Sequence, residues 1–366
     1  MLVKSTVRPH VSDLVSLRRH LSALATLPVT EAPVLSVFLD LRCPLESQHS
    51  AFLGWTSSVR ATLSRDERPM LEAARAEVEM VFRQSWPENV AGVAVFARAG
   101  SAPLLMVLPF AAHLETAFHA APMPAIFPLV QMKDRFHRFV VAISSEENSR
   151  IFEVTLGAVS EQILAVRPEM RQRVGREWTR EHYHQRKREH DKRFLKDQVV
   201  IISSLMAKRG LNHLILAGQP RAVSALHAAL PKDLQARVAD SIFRSPRGHD
   251  CSDVLEEAIA TFIEVEQQES RGTVELLHER VRRDGLAVVG IHPSREAILS
   301  GAAAELVISE ELPKADREEL VRLATTREVP IEVCEGDELL ASHGGVGCLL
   351  RYRPLPAVQG ETQQTG

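Results

Sequence analysis

Residues 178–218 read WTREHYHQRKREHDKRFLKDQVVIISSLMAKRGLNHLILAG. From Trp178 to Arg209 there is no Gly or Pro, so nothing in the chain interrupts a helix of about 48 Å. Its second half repeats apolar residues at Leu195, Val199, Ile202 and Met206, and again at Phe194, Ile201 and Leu205. That stripe packs on a core. Residues 178–193 are almost wholly polar, so that half is expected to project past the core. Gly210 stands where a helix should end. His213 to Gly218 is a short apolar run that reads as a buried strand, and Gln219 to Leu230 follows as a helix. A long helix feeding a strand and then a second helix is α/β alternation, not a bundle.

The same alternation extends outward. Upstream, Arg138–Ser145 and Arg150–Val159 read as strands around a polar turn at Glu146–Ser149, and Glu161–Val166 as a third strand. Downstream, residues 252–284 read as a helix. Strands at Leu286–Gly290, Glu305–Ser309, Pro330–Cys334 and Gly347–Arg353 then alternate with helices at Pro293–Ser300 and Lys314–Arg327. Such alternation predicts a mixed or parallel sheet covered on both faces. The first third is less regular: a helix over 11–26, a strand over Pro33–Arg42, helices over 49–64 and 67–84, and a hairpin of Val90–Ala99 with Pro103–Phe110. The Pro-rich stretch HAAPMPAIFPLV, 119–130, reads as a domain exit. At about 150 residues per domain, 366 residues suit two or three domains. We expect three in an α/β protein: a mixed N-terminal domain over 1–130, a middle domain with a basic tip loop and the long helix over 131–249, and a C-terminal α/β/α domain over 250–366 with a short frayed tail.

Composition narrows the function. Apolar residues at 45% and charged residues at 25% are ordinary for a globular chain. Aromatics at 5% argue against a surface that stacks many bases. Cys43, Cys251, Cys334 and Cys348 lie far apart with no C-x-x-C pair, which disfavours a structural zinc site and a disulfide framework. Met1 to His10 has no apolar run of signal-peptide type, and the most apolar stretch, Val90 to Met132, is broken by charges and prolines. A soluble cytoplasmic protein with no membrane contact is expected. The net charge of −3 hides a segregation. Arg167–Asp197 holds 11 Lys/Arg against 6 Asp/Glu, whereas Asp253–Leu340 holds 9 against 21. That asymmetry predicts a polyanionic partner for one region and a protein partner for the other.

The sharpest local signal is RPEMRQRVGREWTREHYHQRKREHDKR, 167–193. A basic loop that feeds a helix N-terminus offers free N–H groups and cationic side chains to phosphate. The candidate phosphate-binding residues are Arg171, Arg173, Gly175, Arg176, Arg180, His182, His184, Arg186, Lys187 and Arg188. The competing reading is a solvated helix with i,i+4 pairs such as Glu189–Arg193. His182 and His184 point to different helix faces, so no metal is expected there. Gly344-Gly345-Val346-Gly347 lacks the Lys-Ser/Thr of a P-loop and precedes a strand, which makes it a turn. Ser224 with His227 lacks a G-x-S-x-G elbow. Neither cofactor nor catalytic residue is expected.

Four segments together resemble a known family. They are RIFEVTLGAV (150–159), QRKREHDKRFLKD (185–197), GLAVVGIHPSREAILSGAAAELVISEEL (285–312) and GGVGCLLRY (344–352). Over roughly residues 130–354 the chain resembles the bacterial branch of the archaeal and eukaryotic peptide release factor 1 and Pelota superfamily. The resemblance implies an RNase H-like middle domain and a C-terminal domain similar to ribosomal protein L7Ae. It also implies a Gly-Gly-Gln tip for peptidyl-tRNA hydrolysis, yet Arg171–Arg180 reads RQRVGREWTR. Gln172 lacks flanking glycines, and no NIKS-type codon-reading motif occurs in residues 1–130. The function so implied is non-enzymatic: a factor of tRNA-like shape that occupies the vacant A site of the 70S ribosome through rRNA contacts. It would act under stress in hibernation, as the bacterial relatives called Balon do, or in rescue of stalled ribosomes, as Pelota-like proteins do, with elongation factor Tu or a related translational GTPase against the acidic third domain. Two alternatives stay open. One is a peptidyl-tRNA hydrolase with an altered tip that uses Gln172 or Gln185. The other is a scaffold unrelated to ribosomes whose acidic domain binds a basic partner.

Overall fold

The structure is a computed structural model that describes residues 12, 14–135, 138–146, 148–155, 158–166, 180–245 and 250–353. Three sheets organise it, each with helices on both faces. The α/β class expected from the alternation is what the chain adopts.

The first unit runs α1 (Leu14–Ala25), β1 (Val34–Asp40), α2 (Leu45–Thr62), α3 (Glu67–Phe82), β2 (Gly92–Arg98), β3 (Leu104–Phe110), β4 (Ala117–Ala121) and α4 (Phe127–Arg135). Its antiparallel sheet has the order β3-β2-β1-β4. Every residue of β1 and β2 is buried, because α2 and α3 cover one face around Leu35, Val37, Val93 and Val95 while Phe38, Ala94 and Phe96 face the other core. The Pro-rich stretch 119–130 is not a bare exit, as the sequence reading has it. It carries the end of β4, which pairs with β1, and the start of α4. Pro122 and Pro124 follow the strand, and Pro128 sits in the first turn of α4, where no N–H is needed.

The middle unit comprises β5 (Phe139–Ser144), β6 (Asn148–Thr155), β7 (Ala158–Val166), α5 (Arg180–Arg209), β8 (His213–Gly218), α6 (Pro220–Ala229), α7 (Lys232–Gln235) and β9 (Val238–Ile242). The order β7-β6-β5-β8-β9, with β5, β8 and β9 parallel and β6 antiparallel to its neighbours, is the RNase H-like arrangement. RIFEVTLGAV is two strands, not one, since Ala158 turns back to pair with Thr155. VADSI, with Asp240 at its centre, has too little periodicity to show β9 in the sequence.

The third unit comprises α8 (Ser252–Arg282), β10 (Ala287–Val289), α9 (Ile291–Leu299), β11 (Ala303–Ser309), α10 (Lys314–Thr326), β12 (Ile331–Cys334), α11 (Glu338–Ser342) and β13 (Val346–Leu350). Its sheet, β10-β13-β11-β12, is parallel only between β11 and β12. Helices α9 and α10 cover one face and the second half of α8 the other, an α/β/α sandwich. The 31-residue α8 serves two units. Val254, Ala258 and Phe262 pack on the middle sheet, with Phe262 stacked on Phe139 at 4.0 Å between ring centroids, and Val274 and Leu277 pack on the third sheet.

First and third units share one core. Leu17, Phe38, Phe96 and Met132 join Ile298, Leu306, Leu320 and Val346 in a single buried cluster. Polar contacts lock the seam. The Glu318 carboxylate of α10 accepts the Ile126 and Phe127 N–H groups at 2.8 and 3.2 Å, at the N-terminus of α4. Asp134 accepts from the Val333 N–H at 2.8 Å, and the Arg317 guanidinium lies 4.0 Å over the Phe127 ring.

The same seam holds His119, whose Nδ1 is hydrogen-bonded to the Lys314 Nζ. Burial first, then the charges of Lys314 and Arg317, push the His119 imidazole down to about 4. The unfolded chain therefore takes that proton first. Stability supplied by neutral His119 is complete above pH 6.5 and is lost as pH falls toward 4. The expected loss is about 2 kcal/mol once solvent screening of the ring is allowed for. His119→Gln should remove that part of the slope in urea unfolding measured from pH 7 to pH 4. Burial raises Glu318 and gives a slope of opposite sign above its ordinary range, so the difference between wild type and variant is the quantity to compare.

Gly218 closes β8 at φ +123°, and a Cβ there would meet the Ser144 carbonyl oxygen at 2.1 Å. The close approach lets the Gln219 N–H donate to that oxygen at 3.1 Å. Gly218→Ala should cost about 2–4 kcal/mol, combining overpacking with a disfavoured φ, and should lower the urea midpoint accordingly. A loss below about 0.5 kcal/mol would show that the strand ends can part.

Candidate nucleic-acid interface

Helix α5 is built in two halves. Ile202, Leu205 and Met206 are buried against β5 and α6, with Leu195, Val199 and Ile201 half-buried beside them, and Phe194 and Gln198 are buried on the same helix. Gln198 belongs to this stripe because its Oε1 accepts from the Ser144 hydroxyl at 3.0 Å. At the C-terminus Gly210, at φ +64°, lets the Leu211 N–H reach back to the Met206 carbonyl at 2.9 Å, a Schellman closure. Below it Glu153, buried on β6, is paired with Arg138 and with Arg209 at 3.5 Å.

Toward the N-terminus the helix continues for 14 residues beyond Phe194, about 21 Å. None of residues 188–193 is buried. Arg188, Lys192, Arg193 and Lys196 are exposed and make no ion pair among the described residues. Arg180, His184, Arg188, Lys192 and Lys196 occupy successive i+4 positions of this one helix, which sets basic residues along a ridge about 6 Å apart. Repeated positive charge along a ridge is suited to successive phosphates, and such contacts position a nucleic acid without reading its bases.

Of the sequence-predicted site, Arg188 is an exposed member of this ridge. Arg180, His182, His184, Arg186 and Lys187 lie on α5, with their side chains outside those described. Arg171, Arg173, Gly175 and Arg176 lie outside the described residues. Lys192 and Lys196 extend the ridge beyond the predicted set, and the four-residue spacing of basic residues is the signal in the sequence that marks them. Glu146, in the turn after β5, is exposed, and the turn is closed by the Ser145 N–H donating to the Asn148 carbonyl at 2.8 Å. Gly344 and Gly345, both at positive φ, turn α11 into β13, as expected of that motif.

The opposite charge collects at the seam of the three units. A cavity of about 430 Å³ between α4, α8 and β12 is lined by Asp134, Glu275, Glu310, Glu332, Glu335 and Asp337 against Arg135 and Arg271. Of the cysteines, Cys334 lines this cavity. Burial pushes the Cys334 and Cys348 thiols up to about 12, while Cys43 is exposed.

Residues 124–262 match the sequence profile of bacterial archaeo-eukaryotic release factor family 10. That segment, well under half of the chain, is what is similar to the family. The matched span covers all of α4, the whole middle unit and the part of α8 that packs on the middle sheet. Helix α5 lies within the matched span, and the sequence Arg171–Arg180 just before and at its start contains no Gly-Gly-Gln. No curated protein matches the chain. Among solved structures it is similar to a model of ribosome-bound archaeal Pelota with ABCE1, at 15% identity and TM-score 0.45, covering 94% of this chain and 96% of that one. Archaeoglobus fulgidus Pelota is similar at 13% identity and TM-score 0.37, covering 95% and 94%. S. cerevisiae Dom34 is similar at 12% identity and TM-score 0.44, covering 72% and 80%. Among the described residues no helix is long and apolar enough to cross a membrane.

Proposed function

We propose that this chain is a ribosome-binding factor of the release factor superfamily that occupies a vacant A site without hydrolysing peptidyl-tRNA. The observation that carries the reading is the pairing of a release-factor-type middle unit with a tip segment, RQRVGREWTR, that has no Gly-Gly-Gln. Glycines at such a tip let backbone approach an ester closely; a single glycine amid arginines instead offers charge. The ridge from Arg180 to Lys196 then meets rRNA phosphates beside the tip residues Arg171, Arg173 and Arg176. The acidic seam and third unit face protein, with elongation factor Tu or a related translational GTPase as the proposed partner. Hibernation of idle ribosomes or rescue of stalled ones, in the cytoplasm, is the proposed setting.

The test is co-sedimentation of the full chain with vacant 70S ribosomes over a salt series, paired with a peptide-release assay on ribosomes carrying P-site peptidyl-tRNA. The expected result is binding that weakens steeply with salt, with no release. Absence of binding at low salt would overturn the proposal. Release that disappears in the Gln172→Ala/Gln185→Ala double variant would establish the hydrolase reading instead.

A further inference from the structure

His213, the first residue of β8, faces Glu266 and Glu269, which stand three residues apart on one face of α8. The imidazole Nε2 lies 3.8 Å from a Glu266 oxygen and Nδ1 lies 4.0 Å from a Glu269 oxygen. One donor atom from each residue falls within 4.8 Å of the others. Tetrahedral zinc ligands sit about 3.4 Å apart, so rotations of the two flexible glutamates suffice to close the set. The ring is held edge-on to Phe262, with centroids 5.3 Å apart, and Phe262 in turn stacks on Phe139. This apolar floor lowers the local dielectric and strengthens any charge held there. Glu266 is largely buried whereas the Glu269 side chain is 58% exposed, so the outer side is open to a water ligand.

We propose that His213, Glu266 and Glu269 form a divalent-metal site that fastens α8 to the middle sheet. One imidazole and two carboxylates are a borderline donor set of the kind Zn2+ takes with a water in the fourth position. Ca2+ would require more oxygens than the triad supplies. Because α8 packs on the middle sheet through Phe262 and on the third sheet through Leu277, an ion at Glu266 and Glu269 sets the angle at which the third unit meets the sheet that carries α5. The same three groups with a doubly protonated imidazole form a bridged ion pair, which has no use for a metal, and zinc therefore separates the two arrangements.

The experiment is calorimetric titration of the chelator-stripped full chain with ZnCl2. Wild type should take up one equivalent, and its melting temperature should rise with the metal. His213→Gln and Glu266→Gln/Glu269→Gln should each weaken binding by more than about tenfold, with unchanged circular dichroism, while Cys43→Ser should bind as wild type. No uptake by wild type, or full-strength uptake by His213→Gln, overturns the site. Co2+ supplies a reading that requires no variant. An absorption spectrum with only ligand-field bands supports nitrogen and oxygen donors, and a thiolate charge-transfer band assigns the ion to cysteine and overturns the proposal.

Discussion

Replacing Arg188, Lys192 and Lys196 together by Glu should weaken ribosome binding by roughly 10²–10³-fold near physiological salt. The estimate follows from counterion release: each phosphate neutralised contributes nearly one unit to the slope of log affinity against log salt, and three reversals turn three attractions into repulsions. The slope itself should flatten by about two to three units, which a loss of fold would not produce. All three residues are exposed and make no ion pair among the described residues, so the variant should stay within about 0.5 kcal/mol of wild-type stability. A second variant, Arg171→Glu/Arg173→Glu/Arg176→Glu, addresses the tip separately. If both contribute, their salt slopes fall independently. If the helix variant binds as wild type with an unaltered slope, the ridge is only a solvated face.

Glu318→Ala should destabilise the seam between first and third units by about 3 kcal/mol. Three losses coincide. The Ile126 and Phe127 N–H groups at the start of α4 lose their acceptor, and unsatisfied buried donors cost about 1–3 kcal/mol. The favourable charge at the helix N-terminus disappears. Arg317 and Lys314 lose a neighbouring anion that offsets their own burial. Glu318→Gln keeps an acceptor oxygen and should cost about half as much. Urea unfolding at pH 7 measures both; equal effects would show that charge, not the hydrogen bonds, holds α4. A cost below 0.5 kcal/mol for Glu318→Ala would mean that the apolar contacts around Leu17, Phe38 and Leu320 hold the two units unaided.

Much of this architecture was legible in the chain because its signals are local. The stripe from Phe194 to Met206, Gly210 and the apolar run His213–Gly218 follow one another along the chain, each marked by its own residue types and spacing, so helix, stop and strand are legible before their partners are known. Likewise the absent Gly-Gly-Gln between Arg171 and Arg180 is a fact of sequence. Other features left weaker traces. VADSI became β9 only because β8 offers it a parallel edge, and the prolines of 119–130 read as an exit because prolines break regular structure whether the chain beyond them is free or packed.

The sequence by itself determined the alternation of strands and helices, the polar half of α5 and the segregation of charge, since periodicity and composition are properties of neighbouring residues. Only the tertiary structure decided that α4 is capped by Glu318, 192 positions away from Ile126, that first and third units share a core, and that His213 meets Glu266 and Glu269. An apolar or acidic residue announces that it will be buried or solvated, but not against what. That choice is made when distant segments compete for the same surface, and it leaves no periodic trace along the chain.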